Sequence, residues 1–312
     1  MDLFTSTLNQ MIYLFLFILI GFVLVRVGAL RPDAAGVLSK LENTLFIPAL
    51  VMGTFMKNFT VDTLNQAWKL LLFSLAIEVV VIPLSILFSR LCGKDSDERN
   101  IITYGLAFSN FGFMGNAVVS AVFPEYFMEY VIFTLVLWVF IYGWAVPALL
   151  IPKEGKQSIG QRVKSFCNPM FIGMILGIVI SLTGIKLPTG VVSVIDTAGA
   201  CMSPIAMILT GITVASIDLK KAFSSWNIYV VTFLRLLVFP LAALGIFSLL
   251  PLSDAFVVCA FCSLAMPLGL SPVVIPAGYG KDTSGAAAMA LVSHLLSAIT
   301  IPVMFILLEK VI

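Results

Sequence analysis

Charged residues are scarce in this sequence. Asp, Glu, Lys and Arg together make up 11% of the chain, whereas hydrophobic residues make up 60%. Soluble domains carry about 25% charged residues, so the composition excludes a soluble globular protein. The net charge of +2 indicates no charged partner. We expect the chain to contact membrane lipid and no nucleic acid.

Groups that catalyse reactions or hold cofactors are scarce as well. The sequence has a single histidine, and its acidic residues are scattered rather than paired. It has no glycine-rich phosphate-binding loop, which excludes nucleotide-driven pumping by this chain. Cys259 and Cys262 form a C-x-x-C pair, but no further ligands accompany them to complete a metal site. These absences predict a protein that is not an enzyme and has no metal or cofactor.

What the sequence has instead is a set of ten apolar stretches. A helix needs about 20 predominantly apolar residues to cross the hydrocarbon core of a membrane, and the stretches come near this length. We therefore predict an all-α polytopic membrane protein with ten transmembrane helices. The predicted spans are Leu8–Arg26, Leu41–Met56, Ala67–Phe88, Asn100–Phe123, Met128–Ile151, Asn168–Thr183, Val192–Ala215, Ile228–Leu250, Asp254–Ala277 and Ser284–Leu308.

The basic residues predict how the chain is oriented. If the N-terminus lies outside, thirteen of the 18 Lys and Arg residues fall in inside loops, four fall outside and Arg235 lies within a span. Cytoplasmic loops carry the excess of Lys and Arg in membrane proteins. The distribution therefore predicts a multi-pass protein of the cell (plasma) membrane with both termini on the non-cytoplasmic side.

The two halves of the chain resemble each other. A shift of 156 residues maps Gly21 onto Gly177 and Gly28 onto Gly184, and a shift of 157 maps Gly112 onto Gly269. Each copy has five spans, and because five is odd, the second copy enters the membrane from the opposite side. Such inverted repeats are typical of secondary transporters. The predicted organisation is a first repeat at 1–151, a cytoplasmic linker at 152–167 and an inverted second repeat at 168–312.

Two equivalent spans are interrupted by polar residues, glycine or proline. The fourth contains SNFGFMGN and the ninth contains AMPLGLSP. Unwound backbone at membrane depth persists where it lines a protein interior or a cavity, and paired broken helices indicate a transporter's binding site. The alternative is a pair of glycine kinks that ease helix packing. The predicted substrate-binding residues are Ser109, Asn110, Gly112, Gly115, Asn116, Pro267, Gly269, Ser271 and Pro272.

The interruptions also predict the kind of ligand. Ser is a good N-cap and Pro a good first helical residue, so we expect a half-helix to restart at Ser271 and Pro272, and Asn116 to cap the restart in the fourth span. The N-termini of such half-helices offer free N–H groups and the positive end of the helix dipole. An anion therefore suits the point where the two spans cross.

Three ionisable residues lie deep inside predicted spans: Glu78, Arg235 and His294. Charges at mid-membrane are costly and usually have a partner or a function. A shift of 157 relates Glu78 to Arg235, which suggests a structural salt bridge between them. The alternative is that Arg235 compensates a substrate carboxylate and Glu78 carries a coupling proton. For His294, a hydrogen bond to a neighbouring helix competes with a role as a proton relay.

At these motifs the sequence resembles the auxin efflux carrier family, which includes plant auxin exporters and bacterial permeases of dicarboxylates such as malate. SNFGFMGN, AMPLGLSPVVIPAGYG, LFIPAL and NPMFIGMILGIV occur in the family's order, and the resemblance covers nearly the whole chain. The resemblance departs at Phe111, where the family usually has Thr, and at Asn116-Ala117, where it often has Pro.

The resemblance implies an elevator-type transporter of small organic anions that forms a homodimer through helices 2 and 7. Helices 1, 2, 6 and 7 would form a scaffold, helices 3–5 and 8–10 a transport domain, and the crossover of helices 4 and 9 the carboxylate site. The departures leave the lining of that site, and hence the substrate, open. The coupling ion, proton or sodium, also stays open. The alternatives are a sodium-coupled carrier resembling the bile-acid symporters, and a channel.

Overall fold

The computed structural model describes residues 3–151, 169–215, 226–277 and 283–312. The predicted linker at 152–167 and the predicted first residue of the sixth span, Asn168, lie outside these ranges. Within them every regular element is helical, and the one extended contact is an isolated antiparallel bridge between Ser109 and Leu268. The all-α prediction is confirmed for this part of the chain.

We number the helical segments so that they follow the predicted spans. The segments are α1 (Leu3–Arg26), α2 (Ala34–Asn58), α3 (Val61–Cys92), α4a (Ser96–Ala107), α4b (Phe111–Val122), α5 (Pro124–Leu150), α6 (Pro169–Thr183), α7 (Thr189–Ala215), α8 (Trp226–Phe247), α9a (Asp254–Ala265), α9b (Ser271–Ala277) and α10 (Ser284–Leu308). Four of them contain π-helical turns, at Glu42–Phe46 in α2, Phe111–Gly115 in α4b, Ile141–Leu150 in α5 and Leu234–Val238 in α8.

Seven of the described helices are long and apolar enough to cross a membrane, namely α1, α2, α3, α5, α7, α8 and α10. Three of the predicted spans correspond to shorter apolar helices: the fourth to α4b, the sixth to α6 and the ninth to α9a. The structure therefore supports a multi-pass membrane protein, whereas the count of ten crossings stays a prediction. The second predicted span begins too late, because α2 starts at Ala34 rather than at Leu41.

The predicted interruptions of the fourth and ninth spans are real breaks in the helices. α4a ends at Ala107 and α4b begins at Phe111, while α9a ends at Ala265 and α9b begins at Ser271. Proline by itself does not cause such breaks here, since Pro83 lies within the continuous helix α3. The breaks are instead held open by contacts with neighbouring segments.

Close glycine contacts join α1 to α7 and α2 to α6. A Cβ added at Gly21 would collide with the backbone carbonyl of Ile208, and one added at Gly177 would collide with the carbonyl of Met52. The shift of 156 residues maps the first contact onto the second, because it relates Gly21 to Gly177 and Met52 to Ile208. Glycine permits this close approach of helix backbones. The same shift that relates the sequences thus relates these two contacts.

Burial differs among the helices, but not along the division into predicted scaffold and transport groups. α9a and the first half of α10 are buried along most of their length, and α4b is buried over 114–119. α1, α3 and α6 instead expose large apolar side chains such as Leu16, Val80 and Ile175, as expected for helices that face lipid. The two broken helices therefore lie in the interior of the helix bundle.

Candidate functional site

The breaks of the fourth and ninth helices meet each other. The backbone N–H of Asn110 donates to the carbonyl of Pro267 at 2.7 Å. The shift of 157 relates these two residues, so the helices cross at equivalent positions of the repeat. Gly269 permits the close approach, since a Cβ there would lie 3.2 Å from the carbonyl oxygen of Ser109. We call the residues 108–110 and 266–270 the crossover.

Side chains satisfy the backbone groups that the breaks leave free. The hydroxyl of Ser109 donates to the carbonyl of Ser263 at 2.6 Å, and the N–H of Leu268 donates to the hydroxyl of Ser293 at 3.2 Å. An unpaired backbone group in a membrane interior costs several kcal/mol. These hydrogen bonds therefore stabilise an unwound backbone that lipid alone would not tolerate.

Arg235 binds three of the free carbonyls at once. Its guanidinium donates to the carbonyl oxygens of Leu106 at 2.8 Å, Ser263 at 2.8 Å and Met266 at 3.2 Å. The side chain is among the most deeply buried in the protein. The guanidinium fork with its five N–H donors is suited to several acceptors at fixed positions. Arg235 therefore ties the end of α4a to the end of α9a.

The predicted salt bridge between Glu78 and Arg235 is not formed. Both residues are described, and no Arg235 nitrogen lies within 4.0 Å of a Glu78 carboxylate oxygen. Glu78 is 2% exposed, and its Oε2 has no hydrogen-bond partner. Arg235 is drawn to carbonyl oxygens instead, because the helix breaks place three of them within reach.

This arrangement changes the electrostatics of the crossover. Two helix C-termini, of α4a and α9a, bring negative dipole ends to it, and two helix N-termini, of α4b and α9b, bring positive ones. Arg235 neutralises the negative ends by binding their carbonyls. The positive ends remain, so the crossover as a whole favours an anion. Arg235 acts on the helix termini, and none of its three hydrogen-bond partners lines the cavity described below.

Asn110 caps the restart of the fourth helix. Its Oδ1 accepts from the N–H of Met114 at 3.4 Å, and its Nδ2 contacts Nε2 of His294 at 2.9 Å. The prediction that Asn116 caps this helix is wrong, because α4b begins at Phe111 and Asn116 lies inside the helix. Asn116 is buried there.

The other predicted residues occupy three settings. Ser271 is the first residue of α9b and Pro272 the second, one position later in the helix than predicted. Gly115 packs against Tyr130, where a Cβ would collide with the phenol oxygen. Gly112 and Ser271 line the same cavity.

A cavity of about 190 Å³ lies beside the crossover. Its walls come from two groups of helices, α2 and α7 on one side and α4b, α5 and α9b on the other. The polar lining includes Ser39 and Asn43 of α2 together with Ser271. The lining residues are Ser39, Asn43, Ile47, Gly112, Phe113, Trp138, Ile141, Tyr142, Val146, Leu209, Leu270, Ser271 and Ile275. None of these side chains carries a charge.

Sequence reasoning missed the contribution of α2 to this cavity. It also missed a buried acid, Glu42, which precedes the lining residue Asn43 in the sequence. Glu42 lies in the π-helical turn of α2, is 0% exposed, and neither of its carboxylate oxygens has a hydrogen-bond partner. The prediction placed Glu42 at a membrane interface, because it started the second span at Leu41. Recognising that an amphipathic segment begins at Ala34 would have placed Glu42 two turns inside the helix.

Comparison with known proteins supplies the remaining finding. A family model described as membrane transport protein matches residues 6–305. A protein from Methanothermobacter thermautotrophicus is 23% identical over 310 residues, which covers 98% of this chain and 100% of that protein, and is described as an uncharacterized transporter. The matches span both halves of the chain and include the crossover.

Proposed function

The chain belongs to the membrane transport protein family, the auxin efflux carrier family of the sequence resemblance, and from this premise we propose that it is a secondary active transporter of small organic anions. Carboxylates such as malate are the substrates we expect. Membership of a transporter family agrees with the expectation that the chain is not an enzyme. The identity of the substrate rests on the cavity beside the crossover.

The position of the cavity carries the proposal. It lies where α2 and α7, predicted scaffold helices, face α4b, α5 and α9b, predicted transport helices. A ligand in this cavity touches both groups, and a sliding movement between them would carry the site from one side to the other. Such a movement is the elevator mechanism that the family resemblance implies.

The charge distribution supports an anion as the ligand. The cavity contacts Gly112 and Phe113 in the first turn of α4b and Ser271 at the start of α9b. The first turns of these helices contain no acidic residue, whereas Arg235 binds carbonyls at the ends of α4a and α9a. Asn43 and Ser271 add neutral donors. A carboxylate is stabilised by such donors without a second buried charge.

The size of the cavity supports a small ligand. Drug-sized ligands occupy pockets of about 300–1,000 Å³, and this cavity measures about 190 Å³. A dicarboxylate of a few carbon atoms suits that volume, whereas a steroid-sized bile acid does not. The observation favours small carboxylates over the bile-acid alternative.

The packing supports an inverted repeat. The glycine contacts of α1 with α7 and of α2 with α6 are exchanged by the same shift of 156 residues that relates the sequences. We propose that ten crossings form two inverted five-helix repeats, that both termini lie outside the cell membrane, and that α2 and α7 form a homodimer contact. Labelling of single cysteines placed at positions 2 and 312 tests the topology. Both should react from the outer side, and reaction from opposite sides contradicts the inverted repeat.

Transport itself is tested in proteoliposomes. Uptake and counterflow of malate and a panel of mono- and dicarboxylates are measured with and without sodium and a pH gradient. We expect saturable counterflow of at least one small carboxylate. Ser271→Ala should weaken it, whereas Ser248→Ala, at the exposed end of α8, serves as the matched control. Flux that rises linearly with concentration and shows no counterflow would indicate a channel.

A further inference from the structure

The ring of His294 connects the crossover to the body of α10. One ring nitrogen, Nδ1, lies 2.7 Å from the carbonyl oxygen of Ala290, and the other, Nε2, lies 2.9 Å from Nδ2 of Asn110. Among the described residues these are the only hydrogen-bond partners of the ring. The residue is 2% exposed and is the only histidine of the chain.

The two contacts fix the protonation of the ring. A carbonyl oxygen only accepts, so Nδ1 must carry the hydrogen that bonds Ala290. The amide Nδ2 of Asn110 only donates, so Nε2 must be the bare nitrogen that accepts. The Asn110 orientation is set in turn by its Oδ1, which accepts from the N–H of Met114. His294 is therefore neutral in this structure, with its hydrogen on Nδ1.

A proton added to His294 would break this chain of hydrogen bonds. Protonated Nε2 becomes a donor and faces the donor Nδ2 of Asn110. Rotating the Asn110 amide would relieve that conflict but would turn its NH₂ group toward the N–H of Met114, so the cap of α4b would be lost. An acceptor inserted between the two donors resolves the conflict without loss of the cap. A carboxylate oxygen is such an acceptor and brings a compensating charge.

We propose that His294 binds a proton together with the carboxylate substrate, so that the coupling ion of this transporter is a proton. The inference rests on the proposed function and adds to it. Neither Asn110 nor His294 lines the cavity beside the crossover, so the proposal requires a carboxylate oxygen to enter between these two side chains and replace their direct contact. Imidazolium at Nε2 and the amide of Asn110 would then hold one carboxylate oxygen in common. Release of the substrate restores the neutral ring and the direct bond to Asn110.

The surroundings of His294 are mostly apolar, and few charged groups compete with it for a proton at the crossover. A cavity of about 540 Å³ between α1, α7 and α10 has His294 in its wall, and α1 and α7 contribute apolar residues there, among them Phe15, Ile18 and Val214. The titratable side chains on the elements packed against α10 are Tyr13, Arg26, Asp97, Glu98, Arg99, Tyr104, Asp196, Cys201, Tyr229, Arg235, Asp254, Cys259 and Cys262. Of these, Arg235 is the charged residue at the crossover, and its guanidinium is bound to three carbonyls.

The wild-type protein provides a test without any substitution. Because His294 is the only histidine, ¹⁵N-histidine labelling of protein freed from any affinity tag reports this ring alone. The measurement is made without ligand at about pH 8, which is above the ordinary histidine pKa of about 6.5. The spectrum should show a protonated Nδ1 and a bare Nε2. Addition of malate, or of the carboxylate that shows counterflow, should convert the signal to imidazolium. A ring with its hydrogen on Nε2, or one that stays neutral with carboxylate bound, overturns the proposal.

Binding and flux give a second test. Because linkage is reciprocal, carboxylate affinity should fall by about tenfold for each pH unit between the titration of His294 in the free protein and its titration in the complex. A pH dye inside proteoliposomes should report acidification when the carboxylate enters. His294→Gln keeps an acceptor for Asn110 but binds no proton, so it should lose both the pH dependence and the acidification. Thr300→Val on the same helix should retain both.

The outcomes separate the two claims. If no carboxylate of the panel shows saturable counterflow with the wild-type protein, the proposed function fails and the inference fails with it. If a carboxylate is transported with an affinity that does not change between about pH 5.5 and about pH 8, around the ordinary histidine value of about 6.5, the transporter stands and the proton site is refuted. Acidification that persists in His294→Gln also refutes it.

Discussion

Replacement of Arg235 by Gln should be among the most destabilising single changes in the protein. The guanidinium donates to three buried carbonyl oxygens, of Leu106, Ser263 and Met266. A buried polar group left unsatisfied costs about 1–3 kcal/mol. The Ser263 carbonyl would keep the Ser109 hydroxyl, so two carbonyls are left unsatisfied, and even at the lower bound they cost about 2 kcal/mol. Arg235→Lys should lie between, because one ammonium cannot reach three fixed acceptors as the guanidinium does.

Comparison with Glu78 distinguishes a carbonyl clamp from a salt bridge. Glu78→Gln removes no hydrogen bond to Arg235, so we expect a cost below about 1 kcal/mol. The double variant should be additive to within about 0.5 kcal/mol, as for residues that share no contact. A salt bridge predicts instead that both single changes are costly, because each leaves a buried charge unpaired.

The measurement is the free energy of unfolding of the four proteins in the same bicelles. Equal losses for Glu78→Gln and Arg235→Gln, together with recovery in the swap Glu78→Arg with Arg235→Glu, would refute the clamp. A different failure is also recognisable. If Arg235→Gln unfolds like the wild type but no longer binds a carboxylate, Arg235 acts on the substrate rather than on the helix ends.

Three further changes follow from the same structure. Asn110→Ala should weaken carboxylate affinity by roughly ten- to a hundredfold, since it removes a hydrogen bond to a charged group, which is worth about 1.5–3 kcal/mol. Ligand-induced thermal shifts measure the affinity, with Asn58→Ala as the control. Unchanged affinity in Asn110→Ala contradicts the prediction. Gly21→Ala should destabilise the protein because its Cβ meets the carbonyl of Ile208, whereas Gly245→Ala, with open space around it, should be neutral or stabilising by up to about 1 kcal/mol; equal melting of the two argues against the close contact. Glu42→Met should raise the melting temperature, because it removes two unpaired buried oxygens, and a lower melting temperature would show that Glu42 has a partner.

The sequence indicated the helices and the two breaks because both depend on local composition. Long apolar runs form helices in a membrane, and a polar stretch such as Ser109–Asn110 within one marks unwound backbone. The capping residue was harder to predict, since Asn110 and Asn116 are both suitable and only the starting point of α4b decides between them. That starting point is fixed by contacts with α9, which are distant in sequence.

The partner of Arg235 was beyond sequence reasoning for a similar reason. The repeat relates Arg235 to Glu78, and equivalent residues meet only if they lie on the axis between the repeats. Asn110 and Pro267 do meet there, whereas Arg235 finds carbonyls that become available only once α4a and α9a have ended. A pattern of residue types gives no information on which backbone groups are left free.

The hydrogen bond between Asn110 and Pro267 has a consequence for the symmetry of the molecule. Two equivalent residues facing each other across an axis can exchange a pair of hydrogen bonds, each giving its N–H to the other. Pro267 has no N–H, so the bond runs in one direction only, from the first half of the chain to the second. In this backbone pair the second half only accepts. However alike the two repeats are elsewhere, the centre of the molecule is polar along the line that joins them. A ligand approaching from one face therefore meets a different set of donors from one approaching from the other.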